Sequence, residues 1–159
     1  MTETASERLV GATQLEQKLF THLTEHVQNE RDVLKAYVAA AEATESKAFA
    51  YVVKILIEDE RHHHLLLQAM ADSLKHDAEF RPGDPTIPWL DFHRVDRAAV
   101  RDLTNQLIDR EQADLRELKQ LQKSVSEIKD ATLWTLLIDL MQSDTKKHIA
   151  MLRFVRTHT

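Results

Sequence analysis

All three prolines of this chain and one of its two glycines lie in one stretch, residues 76–95. Proline and glycine are the residues that most often interrupt regular structure, so this stretch is predicted to connect two long uninterrupted blocks. Blocks with so few turn residues favour long helices and exclude collagenous, disordered and all-β chains. With 159 residues and 43% hydrophobic side chains, the chain can bury the core of one domain.

A weaker break divides each block. The segment 44–47 offers Thr44 or Ser46 as a helix N-cap, and the segment 126–130 offers Ser126 or Asp130. After a flexible segment, residues 1–13, the sequence therefore predicts four helices near residues 14–43, 47–76, 96–125 and 131–157. Short links make antiparallel hairpins, and residues 76–95 are long enough to cross from one end of a bundle to the other. The predicted fold is an all-α four-helix bundle forming a single domain, residues 14–157.

Apolar residues recur at intervals of three or four along each predicted helix, as expected for helices that bury one face against their neighbours. The predicted core positions include Leu15, Leu19, Leu23, Val33, Leu34, Phe49, Val52, Val53, Leu56, Leu67, Met70, Leu74, Val100, Leu103, Leu107, Leu115, Leu118, Val125, Leu133, Leu137, Leu140, Met141, Met151, Leu152 and Val155.

Each of these apolar stripes is interrupted by polar residues at a similar distance from its hairpin turn. The interrupting residues are His26 and Glu30, Glu60 and His63, Glu111, and finally Asp144 or Thr145 with His148. Because an unpaired buried carboxylate is very costly, carboxylates and imidazoles that converge in a core are best explained by a bound cation. Carboxylate and imidazole ligands suit Fe, Mn or Zn. The chain has no cysteine, which excludes thiolate metal sites and disulfides.

Two segments indicate a duplicated hairpin, ILIEDERHHHLLL at residues 55–67 and LMQSDTKKHIAML at residues 140–152. Superposing His63 on His148 also aligns Asp59 with Asp144 and Leu56 with Met141, while Glu30 aligns with Glu111. The chain thus resembles the ferritin-like superfamily of di-iron carboxylate bundles, nearest to rubrerythrin-like and bacterioferritin-like domains. That family has the pattern Glu, Glu-x-x-His, Glu, Glu-x-x-His, with one element on each helix.

The resemblance implies a set of metal ligands and supporting residues. The implied ligands are Glu30, Glu60, His63, Glu111 and His148. Asp59 is expected to support His148, Asp144 to support His63, and Tyr37 to lie near the site. Thr145 stands where the family has the second Glu of the pattern, so a weaker second metal position, an open coordination position or a single metal is expected. Asp144 is one candidate to replace the missing carboxylate.

The resemblance implies a cofactor of two Fe ions, with Mn or Zn as alternatives, in a protein that oxidises Fe(II) or reduces dioxygen or peroxide. The alternative is a non-enzymatic, degenerate bundle with a structural or empty site that acts in assembly or interaction. The expected partners are metal ions and a small oxidant, and a homo-oligomer is left open. A net charge of -5 argues against nucleic acid, and the lack of a long apolar run argues against a membrane. Without a visible secretory signal, a cytoplasmic location is expected.

Overall fold

A computed structural model describes residues 7–83 and 85–159, and within them it is all-α. The four α-helices are α1 (Gln14–Ala43), α2 (Lys47–Ala78), α3 (Arg97–Ser126) and α4 (Thr132–His158), and a short 3₁₀ helix spans Phe92–Arg94. The described residues contain no strand. The predicted all-α class and the four predicted helices are therefore confirmed, with α2 ending two residues later than predicted.

The chain divides into two compact units, Met1–Trp89 and Leu90–Thr159, and each unit is a helical hairpin. In the first unit α1 packs along α2, and in the second α3 packs along α4. The pairing of helices one with two and three with four is as predicted. The link between α1 and α2 is three residues, 44–46, and this forces the helices to run antiparallel. None of the described helices is long and apolar enough to span a membrane.

The start of each helix in the first hairpin is fixed by a side-chain cap. Thr13 and Glu16 form a capping box at α1, in which Glu16 Oε2 accepts from the Thr13 backbone N–H at 2.7 Å. The Glu16 backbone N–H donates in return to Thr13 Oγ1 at 3.2 Å. At α2, the hydroxyl of Ser46 accepts from the backbone N–H of Phe49, so Ser46 is the cap and Thr44 is not.

Residues 7–13, the second half of the segment predicted to be flexible, lie against the first hairpin. Leu9 is buried in a cluster with Phe20, Leu23, Ala71 and Ala78. Its backbone N–H donates to the side-chain oxygen of Gln17 at 2.7 Å, while Glu7 forms an ion pair with Lys75. Residues 1–6 lie outside the described residues.

The second hairpin begins α4 without a side-chain cap, which corrects the prediction of Ser126 or Asp130. The cap position is Ala131, which makes no side-chain hydrogen bond. Ser126 remains in the last turn of α3, where its hydroxyl donates to the carbonyl of Lys123 at 2.6 Å. Asp130 instead takes the left-handed conformation, φ 62°, that lets the chain turn between the helices.

Many predicted core residues are exposed, because two paired helices enclose only the side chains along the seam between them. The buried seam residues include Val53 and Ile57 in α2, Ile108 in α3, and Ile138 and Ile149 in α4. Apolar residues one helical step away form an exposed face on each hairpin. The predicted core residues on these exposed faces include Leu15, Leu19, Val33, Phe49, Leu56, Met70, Leu103, Leu107, Met141 and Met151.

Candidate metal centre

The first hairpin brings together three of the predicted ligands. Glu30 of α1 and the pair Glu60 and His63 of α2 each offer one ligand atom, and these atoms all lie within 4.8 Å of one another. The antiparallel pairing explains the match, because the residues lie about equally far along the chain from the 44–46 link. These three residues therefore lie at one height on the first hairpin, while the prediction that the ligands of all four helices form one cluster stays a prediction.

Glu30 is the least exposed member of this triad, with 12% of its side chain accessible. Its Oε2 is buried and has no hydrogen-bond partner among the described residues. Oε1 lies 3.6 Å from Nε2 of His26, one turn earlier in α1. Leaving a buried acceptor unsatisfied typically costs about 1–3 kcal/mol, and a metal ion would satisfy it. The donor types and this unpaired oxygen therefore fit a divalent cation that accepts carboxylate and imidazole ligands.

The triad is open on one side. The side chain of His63 is 57% exposed, although its Nδ1 lies 3.6 Å from Glu60 Oε2. Of the neighbouring histidines, His62 is exposed and His64 is half-buried. His63 lies on the exposed face of the hairpin rather than in the seam, and the burial of the cluster between all four helices stays a prediction.

The second hairpin brings Glu111 and His148 together in the same way. Glu111 Oε2 and His148 Nδ1 are 3.4 Å apart, and His148 is 48% exposed. Both side chains border a groove of about 440 Å³ on this hairpin, together with Asp114, Asp144 and Thr145. A pair of one carboxylate and one imidazole is a smaller donor set than the triad of the first hairpin.

Thr145 points into the seam, as the sequence comparison with Glu60 assumes, and only 4% of the residue is exposed. Its hydroxyl oxygen lies 3.1 Å from Asp114 Oδ2 and 3.0 Å from the carbonyl oxygen of Met141. Both partners are acceptors and the hydroxyl has a single proton, so the Met141 carbonyl and Asp114 Oδ2 share it.

The predicted supporting residues are exposed or half-buried within their own hairpins. Asp144 is exposed and pairs with Lys147 of its own helix at 2.6 Å. Asp59 is exposed and Tyr37 is half-buried. The expected hydrogen bonds of Asp59 and Asp144 join residues of different hairpins, and they remain predictions.

Asp114 is a groove residue to which the sequence reasoning gave no role. It lies three positions after Glu111, so the two carboxylates share one face of α3. A signal was present in the sequence, because Val100, Leu107, Asp114 and Leu121 are spaced by seven residues and Asp114 alone is charged. Asp114 is itself exposed, and its contact with buried Thr145 is what connects it to the seam between α3 and α4.

Comparisons with protein-family models, with curated proteins and with solved structures find no match to this chain.

Proposed function

We propose that this chain is a ferritin-like metal-binding protein whose helical hairpins hold redox-active metal, most simply iron, through carboxylates and histidines. The observation that carries the proposal is the triad of Glu30, Glu60 and His63, in which a buried carboxylate oxygen has no hydrogen-bond partner among the described residues. Such an oxygen destabilises the metal-free protein, and in a metal-loaded protein it can bind the cation.

The residues of the triad have separable roles. Glu30 and Glu60 supply negative charge that offsets the charge of a divalent cation, and His63 supplies a neutral nitrogen ligand. Iron held there would supply electron transfer to dioxygen or peroxide. The exposed side of His63 leaves a path by which a small oxidant can reach the site. The sequence predicts that the donors of both hairpins belong to one bundle, and a two-metal centre follows from that prediction.

A second candidate function is a structural metal site without oxidation chemistry, holding one Zn or Mn ion. It is favoured by the unequal hairpins, since Thr145 replaces a carboxylate in α4. The two candidates differ in whether ferrous iron is oxidised faster in the presence of the protein than in buffer.

The test is metal analysis of purified protein, followed by anaerobic titration with Fe(II), Mn(II) and Zn(II), and then by oxidation kinetics. Glu60→Ala should lower the metal content, while Glu58→Ala should not. Glu58 is a matched control because it is on the same helix, exposed, and paired with Arg61 at 2.6 Å. Equal metal content in Glu60→Ala and wild type would reject the ligand role, and metal binding without iron oxidation would favour the structural site.

A further inference from the structure

Residues 7–9 meet the first hairpin as a short segment whose alternate side chains face it. Leu9 is buried, whereas Arg8 and Val10 on either side of it are exposed. Glu7, two residues before Leu9, forms an ion pair with a lysine of α2. Such alternation is typical of an extended peptide that lies along a surface and uses every second side chain for contact.

One side chain of α1 binds the backbone of this segment at two places. Gln17 Oε1 accepts from the backbone N–H of Leu9 at 2.7 Å, and Gln17 Nε2 donates to the backbone carbonyl of Glu7 at 3.0 Å. The side-chain amide thus offers one acceptor and one donor, as the edge of a neighbouring β-strand does. Backbone hydrogen bonds fix the position of an extended peptide, and the pockets for its alternate side chains decide which sequence fits.

Two contacts select the side chains of the segment. The ammonium group of Lys75 in α2 pairs with the carboxylate of Glu7. The side chain of Leu9 lies in a pocket of buried apolar residues from both helices. These residues are Phe20, Leu23, Ala71 and Ala78. Gln17, Lys75 and this pocket together form a docking site, which fits an extended segment with an acidic residue two positions before a leucine.

Gly11 allows the segment to reach the docking site from its own chain. The chain turns at residues 10 and 11, and Gly11 takes a left-handed conformation, φ 87°. A Cβ placed on Gly11 would lie 2.6 Å from the carbonyl oxygen of Ala78, much closer than a carbon and an oxygen pack. A side chain at residue 11 therefore opposes this turn, while every residue of the docking site and of the segment stays the same.

We propose that the docking site binds residues 7–9 as an exchangeable ligand, within one chain when the turn at Gly11 is closed and between two copies when it is open. The partner is a second copy of this chain, because every contact that the segment makes within one chain can also form between two. Reciprocal exchange uses these contacts twice and is a low-cost route to a symmetric dimer. The docking site shares no residue with the triad of Glu30, Glu60 and His63, so this inference is independent of metal binding.

The test uses Gly11→Ala in the full chain, with Gly83→Ala as the matched control. Gly83 is also left-handed, φ 100°, but a Cβ placed there would have nothing within 4 Å. Heteronuclear NMR follows the side-chain amide of Gln17, whose signals report its hydrogen bonds to the segment. In dilute protein, these signals should move in Gly11→Ala and stay at the wild-type positions in Gly83→Ala.

Analytical ultracentrifugation then follows the mass as the protein concentration is raised. Gly11→Ala should dimerise, and its Gln17 signals should return to the wild-type positions as it does so. Wild type and Gly83→Ala should dimerise at least about 100-fold more weakly, because a turn that is open in about one molecule in ten must open in both copies.

A synthetic peptide with the sequence of residues 1–10 is the probe for the docking site. In excess, this peptide should dissociate the Gly11→Ala dimer and give Gln17 its wild-type signals. Recovery of these signals shows that the variant was folded and lacked only its segment. The same peptide carrying Leu9→Ala should do neither, because it has no side chain for the apolar pocket.

Each contrary result overturns a stated part of the proposal. If Gly11→Ala remains a monomer up to millimolar concentration, exchange between copies is wrong. A dimer that excess peptide does not dissociate has its interface elsewhere, which also overturns the exchange. If the Gln17 signals of Gly11→Ala match those of wild type in dilute protein, the role of Gly11 is rejected. The full chain carrying Leu9→Ala, whose own segment lacks the leucine, then tests the site, and its failure to bind the peptide rejects the docking site itself.

Discussion

Replacing Glu30 by methionine should make the metal-free protein more stable and at the same time remove its stabilisation by metal. Methionine has a similar length and a similar helix propensity, so the change removes chiefly the carboxylate. Glu30 is 12% exposed and its Oε2 is buried without a hydrogen-bond partner among the described residues. The penalty for such an atom is about 1–3 kcal/mol, and Glu30→Met should raise the free energy of unfolding by about this amount.

Metal should reverse the order of stabilities. A ligand present at 100 times its dissociation constant stabilises a native protein by about 2.7 kcal/mol, and Glu30→Met should gain little of this. Wild type should therefore have a lower free energy of unfolding than the variant in chelator. In excess Mn(II), its free energy of unfolding should equal or exceed that of the variant. Urea denaturation at neutral pH, with chelator and with excess Mn(II), measures both terms.

Glu25→Met is the matched control, because it removes the same charge from an exposed position on the same helix. It should change the stability of the metal-free protein by no more than a few tenths of a kcal/mol. It should leave the gain in stability on adding metal unchanged. The reasoning is refuted if Glu30→Met destabilises the metal-free protein, or if the variant gains as much stability from Mn(II) as wild type does.

Two further predictions concern the N-terminal end of the first hairpin. Leu9→Ala should lower the free energy of unfolding by about 2–5 kcal/mol, because Leu9 is buried. Val10→Ala, at an exposed position, should have little effect. Equal urea midpoints for the two variants would contradict the packing of Leu9. Hydrogen bonds from the Thr13 side chain and backbone lower the pKa of Glu16. The Glu16 carboxylate therefore stabilises the protein above the pKa that Glu16 has in the unfolded state, and this stabilisation is lost as the pH falls through the folded-state pKa. Glu16→Gln should therefore destabilise the protein at neutral pH and lose this effect in acid, and a difference in melting temperature that is constant with pH would contradict the assignment.

The helices were predictable because proline and glycine are absent from their interiors. The predicted starts of α1 and α2, at residues 14 and 47, agree with the structure. The predicted start of α4, at residue 131, is one residue early, and the cap position Ala131 offers no side-chain signal. Part of the predicted core is exposed in the structure. The spacing and hydropathy of the residues identify the apolar face of a helix, but they do not indicate which part of that face a neighbouring helix covers.

The triad of the first hairpin was predictable because the short link fixes the register of α1 against α2. Glu30, Glu60 and His63 then meet as a consequence of their spacing from the turn. The contact between Asp114 and Thr145 is a side-chain hydrogen bond across a seam, and no spacing rule identifies such a bond. That the donors of the two hairpins form one metal centre is a prediction based on the sequence resemblance.

The short links also have a consequence for the order of events during synthesis. Helices joined by three or a few residues make contacts that are local along the chain, and such topologies fold in microseconds to milliseconds. The ribosome adds about 5–20 residues per second, so the segment Leu90–Thr159 takes several seconds to emerge. The first hairpin, which contains Glu30, Glu60 and His63, therefore has time to form before the second hairpin has been translated.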